Sequence, residues 1–367
     1  MGRLEEALAA YDRALALDPG FAVGWSNRGV VWQAMNRLRE ALASYDRAQA
    51  LDPQYAENRW NRVVCLLLAG DFSQGWPEYE WRWRHPGLRL YAGKHPMTEP
   101  RFTAGADLRG RTVLLYAEQG LGDTLQFCRY APLVAQRGAR VWLQVQPALL
   151  PLLQGLEGVE RVFSNREALP AFDLQCPLLS LPAVLGTTLY RVPARVPYIR
   201  PSPQKLQDWR QRLGPARRRR IGLVWSGSPK HRGDRSRSIA LADLLPLLAV
   251  DADFFSLQKE LRPEDVQTLR ATPALVHCGD QLGDFSDTAA LCELMDGVVS
   301  VDNSVAHLAG AMDKPLSLLL PFAPDWRWML ERSDTPWYPR ARLYRQPVRG
   351  DWASVIARVG ADLAAAM

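Results

Sequence analysis

The sequence predicts an all-α repeat segment followed by an α/β region of two lobes, each built on a parallel sheet. Two observations predict it. The segments "RLEEALAAYDRALALDP" (3–19) and "RLREALASYDRAQALDP" (37–53) agree at 14 of 17 positions, at an offset of 34 residues. From residue 112 onward, short apolar runs alternate with amphipathic segments, and such alternation implies parallel sheets.

A period of 34 is that of the tetratricopeptide repeat, a helix–turn–helix unit. Ala7, Ala14, Ala41 and Ala48 are small enough for paired helices to approach. Tyr11 and Tyr45 fill the groove between repeats, Trp25 and Gly29 take the large and small packing positions of the preceding helix, and Pro19 and Pro53 end the second helices. Residues 3–19 read as a second helix without its partner, 20–53 as a full repeat and 56–84 as a degraded third, with Gly75 and Tyr79 at its small and aromatic positions. Beginning mid-repeat leaves an apolar face, which further repeats or a protein partner would cover. Trp81 and Trp83 are expected at a domain junction.

In the α/β region, strands are predicted over 112–118, 140–146, 159–164 and 172–175, with helices over 123–137 and 147–155. A proline-rich stretch (191–204) intervenes. The alternation then restarts, with strands over 220–226, 253–258, 274–277, 297–302 and 315–320. Helices are expected over 241–249, 286–295 and 304–312. The resulting division is a repeat segment (1–89), a first lobe (90–195), a linker (196–215), a second lobe (216–350) and a C-terminal helix (351–367).

Composition narrows the function. No apolar run reaches the ~18 residues a membrane helix needs, and the N-terminus lacks the pattern of a signal peptide. Five scattered cysteines without a Cys-x-x-Cys suggest neither disulfides nor zinc. The expected location is the cytoplasm, the inner membrane surface included. The net charge of +6 is concentrated at Arg217–Arg220 and Lys230–Arg237. No aromatic residue interleaves the second cluster, so a phosphorylated small ligand fits better than nucleic acid.

The strand ends carry the candidate site. "VLLYAEQGLGDTLQF" places Gln119, Gly120, Gly122 and Asp123 where a strand turns into a helix. It is not a dinucleotide fingerprint. Leu125 occupies the third small position, and the second strand ends on Gln146 rather than an acidic residue. Asp123 is either a helix cap or a group presented to a cleft. In the second lobe, one strand delivers Ser226, Gly227, Lys230, His231, Arg235 and Arg237, another Lys259, and a third Asp302, Asn303 and Ser304, with His307 in the helix that follows. A helix start with basic groups around it suits a diphosphate. The alternative reading has Asp302 as a cap and His307 as a packed core residue.

Taken in order, "EQGLGDTLQFCRY", "FDLQCPLLSLP", "IGLVWSGSPKH", "SLQKE", "DFSDTAAL", "SVDNSVAHLAGAMDKP", "PDWRWMLERSDTPWYP" and "ARLYRQ" resemble bacterial tetratricopeptide-repeat glycosyltransferases. Their catalytic part is similar to the heptosyltransferases of glycosyltransferase family 9. The likeness covers most of 110–350. With the repeat-bearing O-GlcNAc transferases only the organisation is shared. The resemblance implies a GT-B fold, with the acceptor at the first lobe and a sugar nucleotide at the second. It implies a metal-independent transfer without a cofactor, to a glycan, lipopolysaccharide or protein hydroxyl. Asp123 matches the family's proposed base, and Asp302, Ser304 and His307 match residues near the donor phosphates. Asn303 departs from the Thr or Ser common there. The rival expectation is a non-catalytic scaffold whose repeats bind a protein.

Overall fold

The computed structural model describes residues 2–88, 98–230 and 233–365, and groups them into two compact units. The smaller comprises 1–98 with the distant segments 180–192 and 323–332. The larger comprises 99–179, 193–322 and 333–367 and contains both sheets.

Among the described residues, the N-terminal part of the smaller unit contains the helices α1 (Gly2–Leu17), α2 (Ala22–Ala34), α3 (Leu38–Leu51), α4 (Ala56–Leu68) and α5 (Phe72–Glu78). The 34-residue period recurs in side-chain bonds: Arg28 Nε donates to Asp12 and Arg62 Nε to Asp46, each at 2.7 Å. Ala41, Tyr45 and Ala48 are fully buried. A β-carbon on Gly29 would lie 2.5 Å from the Tyr45 ring, so the glycine is what admits the tyrosine. Gly75 plays the same part for Leu67. The two distant segments dock through buried groups. Trp326 packs edge-on against Trp76 at 5.2 Å, and the buried Arg82 donates to Ser180 Oγ at 2.6 Å. Trp81 lies between the guanidinium groups of Arg59 and Arg84.

The larger unit holds a four-stranded sheet, in the order β3 (Arg161–Ser164), β2 (Arg140–Val145), β1 (Thr112–Tyr116) and β4 (Leu174–Pro177). It also holds a six-stranded sheet, in the order β10 (Ala341–Arg345), β9 (Leu316–Leu320), β8 (Gly297–Val301), β5 (Arg220–Val224), β6 (Asp253–Ser256) and β7 (Leu275–His277). Every pairing among the described strands is parallel. The central strands are the continuous apolar runs of the sequence because both of their faces are covered; β5 and β8 are buried throughout. Ile221, Trp225, Leu241, Val299, Val355 and Val359 share the core of the second sheet, which the helix Trp352–Ala365 closes.

Each predicted strand is present, usually a residue or two shorter. The helix expected over 123–137 is instead Leu121–Phe127, a 3-10 turn Cys128–Tyr130, and Ala131–Ala135. Pro132 lacks the amide that an unbroken helix requires there. Pro246 accompanies the same change over 241–249, where Leu241–Leu244 gives way to a 3-10 turn. The helix Pro203–Leu213 lies within the expected linker, and β10 forms where no strand signal was read. No described helix is long and apolar enough to cross a membrane.

Candidate active site

The turn after β1 is organised by its own backbone. Gly120 is the N-cap of the helix Leu121–Phe127, and Asp123 Oδ2 accepts its amide at 2.8 Å. Gln146, at the end of β2, closes the turn from the side. Its amide donates to Gln119 O at 2.9 Å, and its Oε1 accepts from Thr124 Oγ1 at 3.0 Å. Asp123 is thus a cap, and its side chain is half-buried rather than enclosed.

The second glycine of the turn answers to a close approach. A β-carbon on Gly122 would lie 2.8 Å from Cδ2 of His307 and 3.6 Å from Cα of Ser304. The start of the helix Ser304–Ala311 therefore sits directly against the Asp123 turn, and the residues matched to base and donor contacts in the two lobes are neighbours.

Asn303 is the N-cap of that helix. Its Oδ1 accepts from the amides of Val305 and Ala306 at 2.9 and 3.1 Å, and its Nδ2 donates to Ser226 O at 3.3 Å. One carboxamide thereby joins the ends of the neighbouring strands β8 and β5. The bland expectation for Asp302 is corrected in position: the capping side chain is Asn303, because Asp302 stands one residue too early. His307 is buried, with Nδ1 2.8 Å from Tyr338 Oη and Nε2 3.9 Å from Asp302.

Around the end of β5, Gln258 Oε1 accepts the amides of Trp225 and Ser226. Gly227 leaves room for Arg237, since a β-carbon there would lie 2.5 Å from Nη2. The buried Asp234 accepts from Ser238 Oγ at 2.9 Å and pairs with Arg262. Ser238 Oγ in turn accepts the Gly227 amide at 3.1 Å. Lys259 is exposed and donates to Gly283 O at 2.6 Å. Lys230 and Arg235 are exposed. His231 lies outside the described residues.

The structure thus brings Gln119, Gly120, Gly122, Asp123, Ser304 and His307 together, with Asp302 beside His307, and joins Ser226 to Asn303. It places Lys259 on the Gly283 carbonyl. Sequence reasoning gave no site role to Gln146, Gln258 or Asp234, although Gln258 stands within "SLQKE" and Gln146 ends the second predicted strand. It also missed Arg129, which is buried among the three aromatic rings of Tyr198, Trp337 and Tyr338. Arg129 donates to Trp337 O and Tyr198 Oη at 2.8 Å each. Burial pushes the Tyr198 hydroxyl up to about 12 even beside that guanidinium, so it stays a neutral phenol.

Two all-parallel sheets, four- and six-stranded, make the larger unit an α/β protein of the GT-B type. Residues 22–55 match the tetratricopeptide repeat family. Protein FlbA of Caulobacter vibrioides is 27% identical over 338 residues, covering 82% of this chain and 54% of FlbA. The chain therefore spans about half the length of that relative. Among solved structures, the glycosyl transferase family 9 protein from Veillonella parvula matches with a TM-score of 0.52 at 9% identity, over 71% of this chain and 99% of its own. E. coli ADP-heptose lps heptosyltransferase II gives 0.47 at 12% identity, over 69% and 98%. The chain carries a tetratricopeptide-repeat segment and a region with the glycosyltransferase family 9 fold.

Proposed function

We propose that this chain is a metal-independent glycosyltransferase that moves a sugar from a nucleoside-diphosphate sugar to a hydroxyl on a glycan, lipopolysaccharide or protein. The observation that carries the reading is the stacking of the Gly122–Asp123 turn on the start of the His307 helix, in a region of this fold. In this reading the acceptor hydroxyl gives its proton to Asp123 as its oxygen attacks the anomeric carbon. The bond from that carbon to the diphosphate breaks, and the diphosphate leaves with the electron pair.

The leaving charge falls to the Ser304 hydroxyl, Lys230, Arg235 and Lys259, with Ser226, Gly227 and Asp302 shaping the pocket. The amides of Val305 and Ala306 are already taken by Asn303, so side chains and cations carry more of this stabilisation than a bare helix start would. Lys259 spends one of its three N–H donors on Gly283 O, which leaves two for a phosphate. The repeats are assigned to a protein partner or acceptor.

Calorimetric titration with a panel of nucleoside diphosphates tests donor binding, and no binding to any of them would favour a scaffold. Asp123→Asn tests the base, because asparagine still accepts the Gly120 amide while losing basicity. Turnover is expected to fall by about 10²–10⁴ with nucleotide affinity retained. Near-normal turnover would remove Asp123 from the base role.

A further inference from the structure

The two arginines that follow β5 are not equivalent. Asp234–Arg237 forms one helical turn. Residues three apart share a helix face, and residues two apart point to opposite sides. Arg237 therefore lies on the side of the buried Asp234, while Arg235 is exposed. The guanidinium of Arg237 lies across Gly227, where a β-carbon would meet its Nη2, Cζ and Nε at 2.5, 2.9 and 3.0 Å. Gly227 follows Ser226, whose carbonyl accepts from Asn303 after β8. The group is thus fixed where the ends of β5 and β8 are joined.

This guanidinium is held but not spent. Its side chain is 16% exposed, and among the described residues its one ion pair is with Asp234, Nε lying 3.8 Å from Oδ1. That is too long for a hydrogen bond. The carboxylate is already engaged, since Arg262 pairs with Oδ2 and Ser238 Oγ donates to Oδ1 at 2.9 Å. Nε is buried with no hydrogen-bond partner, and the two Nη groups bond no acceptor among the described residues. A largely covered cation whose N–H groups bond no protein acceptor is costly, and an anion that takes those hydrogens offsets the cost.

We infer that Arg237 is a phosphate-binding residue of the second lobe, which takes the diphosphate of the sugar nucleotide in its guanidinium fork. The planar pair of N–H groups matches two oxygens of one phosphate, as a lysine ammonium does not. Gly227 lets the fork lie at the strand end. Asp234 orders the loop around it through Arg262 and through Ser238, whose Oγ accepts the Gly227 amide. Arg235 contributes only as an exposed charge that solvent and salt screen. This role rests on the glycosyltransferase reading and adds to it a group that recognises the phosphates rather than the sugar or the base.

The test is calorimetric titration of the full chain with ADP, GDP and UDP, with urea unfolding of the ligand-free protein beside it. Arg237→Gln is expected to lower affinity for the diphosphate that binds by about 10–100-fold, as loss of hydrogen bonds to a charged group does. Arg235→Gln is expected to lower it by about 5-fold at most, as for an exposed charge. Unfolding separates binding from packing. An arginine that serves the fold costs stability when removed, whereas Arg237→Gln is expected to unfold at the same or a higher urea concentration. Arg237→Lys keeps the charge and the stem but loses the fork, and is expected to weaken binding too; it decides the matter should the glutamine variant not fold. Unchanged affinity in Arg237→Gln, or in Arg237→Lys where only that variant folds, overturns the inference. So does a glutamine variant that loses stability along with binding. A parent chain that binds none of the three diphosphates overturns the glycosyltransferase reading as well, whereas a parent and variants that bind equally overturn the role of Arg237 alone.

Discussion

Gly122 and His307 meet so closely that a β-carbon on the glycine would lie 2.8 Å from Cδ2 of the imidazole. Both sides of that contact are rigid. Gly122 is in the first turn of a helix, and His307 is held by Tyr338 from behind. Gly122→Ala therefore cannot be absorbed by a side-chain swing. The variant is expected to lose about 1–3 kcal/mol of stability, as overpacked cores do, and to lose donor binding with it. Chemical denaturation and nucleotide titration read the two effects. A variant as stable as the parent, with unchanged affinity, would show that the two helices are not in contact.

Asn303 supplies a cap at the start of one helix and a tie to the next strand, and the two roles separate by substitution. Asn303→Ala removes both and is expected to cost about 1–2 kcal/mol, toward the upper end for a lost N-cap. Asn303→Asp keeps the acceptor for Val305 and Ala306 but places an oxygen opposite Ser226 O, where Nδ2 now donates. Its stability is expected to fall between alanine and wild type. Equal melting of all three proteins would mean that the cap is not formed.

Asp287 shows how a motif residue can serve the scaffold. Burial disfavours its charge, but hydrogen bonds from Lys205, Trp209 and the Gly283 amide prevail and hold its carboxyl below the usual carboxylate range. Lys205 is correspondingly raised by the same bond. The pair fastens the helix Pro203–Leu213 to the helix Phe285–Glu293. Because the folded value is depressed, the stabilisation is fully present above the unfolded carboxylate value of about 4 and is lost as pH falls through the folded value. Asp287→Asn is expected to cost about 1–3 kcal/mol at neutral pH, shrinking toward pH 3. Urea unfolding at both pH values checks this, and an equal loss at each would contradict it.

The strands and turns of the larger unit were legible because parallel strands buried on both faces become unbroken apolar runs that end at Gly, Ser or Asp-Asn. "VVSVDNSVAHLAGA" shows strand, cap and helix in one reading. The cap itself was legible only as a residue type, because Asp302 and Asn303 are equally good candidates and backbone geometry chooses between them. The Arg129 network was not legible at all. Arg129 and the Trp337 carbonyl are 208 residues apart, and a lone arginine after "LQFC" carries no sign of three aromatic rings around it. Asp234 fails for a related reason: in a run of cations an aspartate reads as solvated, yet it is buried under Arg262 and Ser238. In the repeats the reverse holds. The period alone predicted that Gly29 and Tyr45 occupy packing positions of consecutive helices.

That last pairing can be tested against a competing effect. Alanine favours a helix over glycine by about 1 kcal/mol, so Gly29→Ala would stabilise α2 if the site were open. Here the new β-carbon would lie 2.5 and 2.6 Å from two ring carbons of Tyr45. The ring is fully buried, and its hydroxyl bonds Gln33 Oε1 at 2.8 Å, so it has nowhere to swing. Overpacking of about 1–3 kcal/mol should outweigh the propensity gain. Amide hydrogen exchange in α1–α3 is expected to speed up in Gly29→Ala, and to recover in part in Gly29→Ala/Tyr45→Leu, where the ring is gone. Slower exchange in the single variant would mean that propensity wins and that the ring does not press on Gly29.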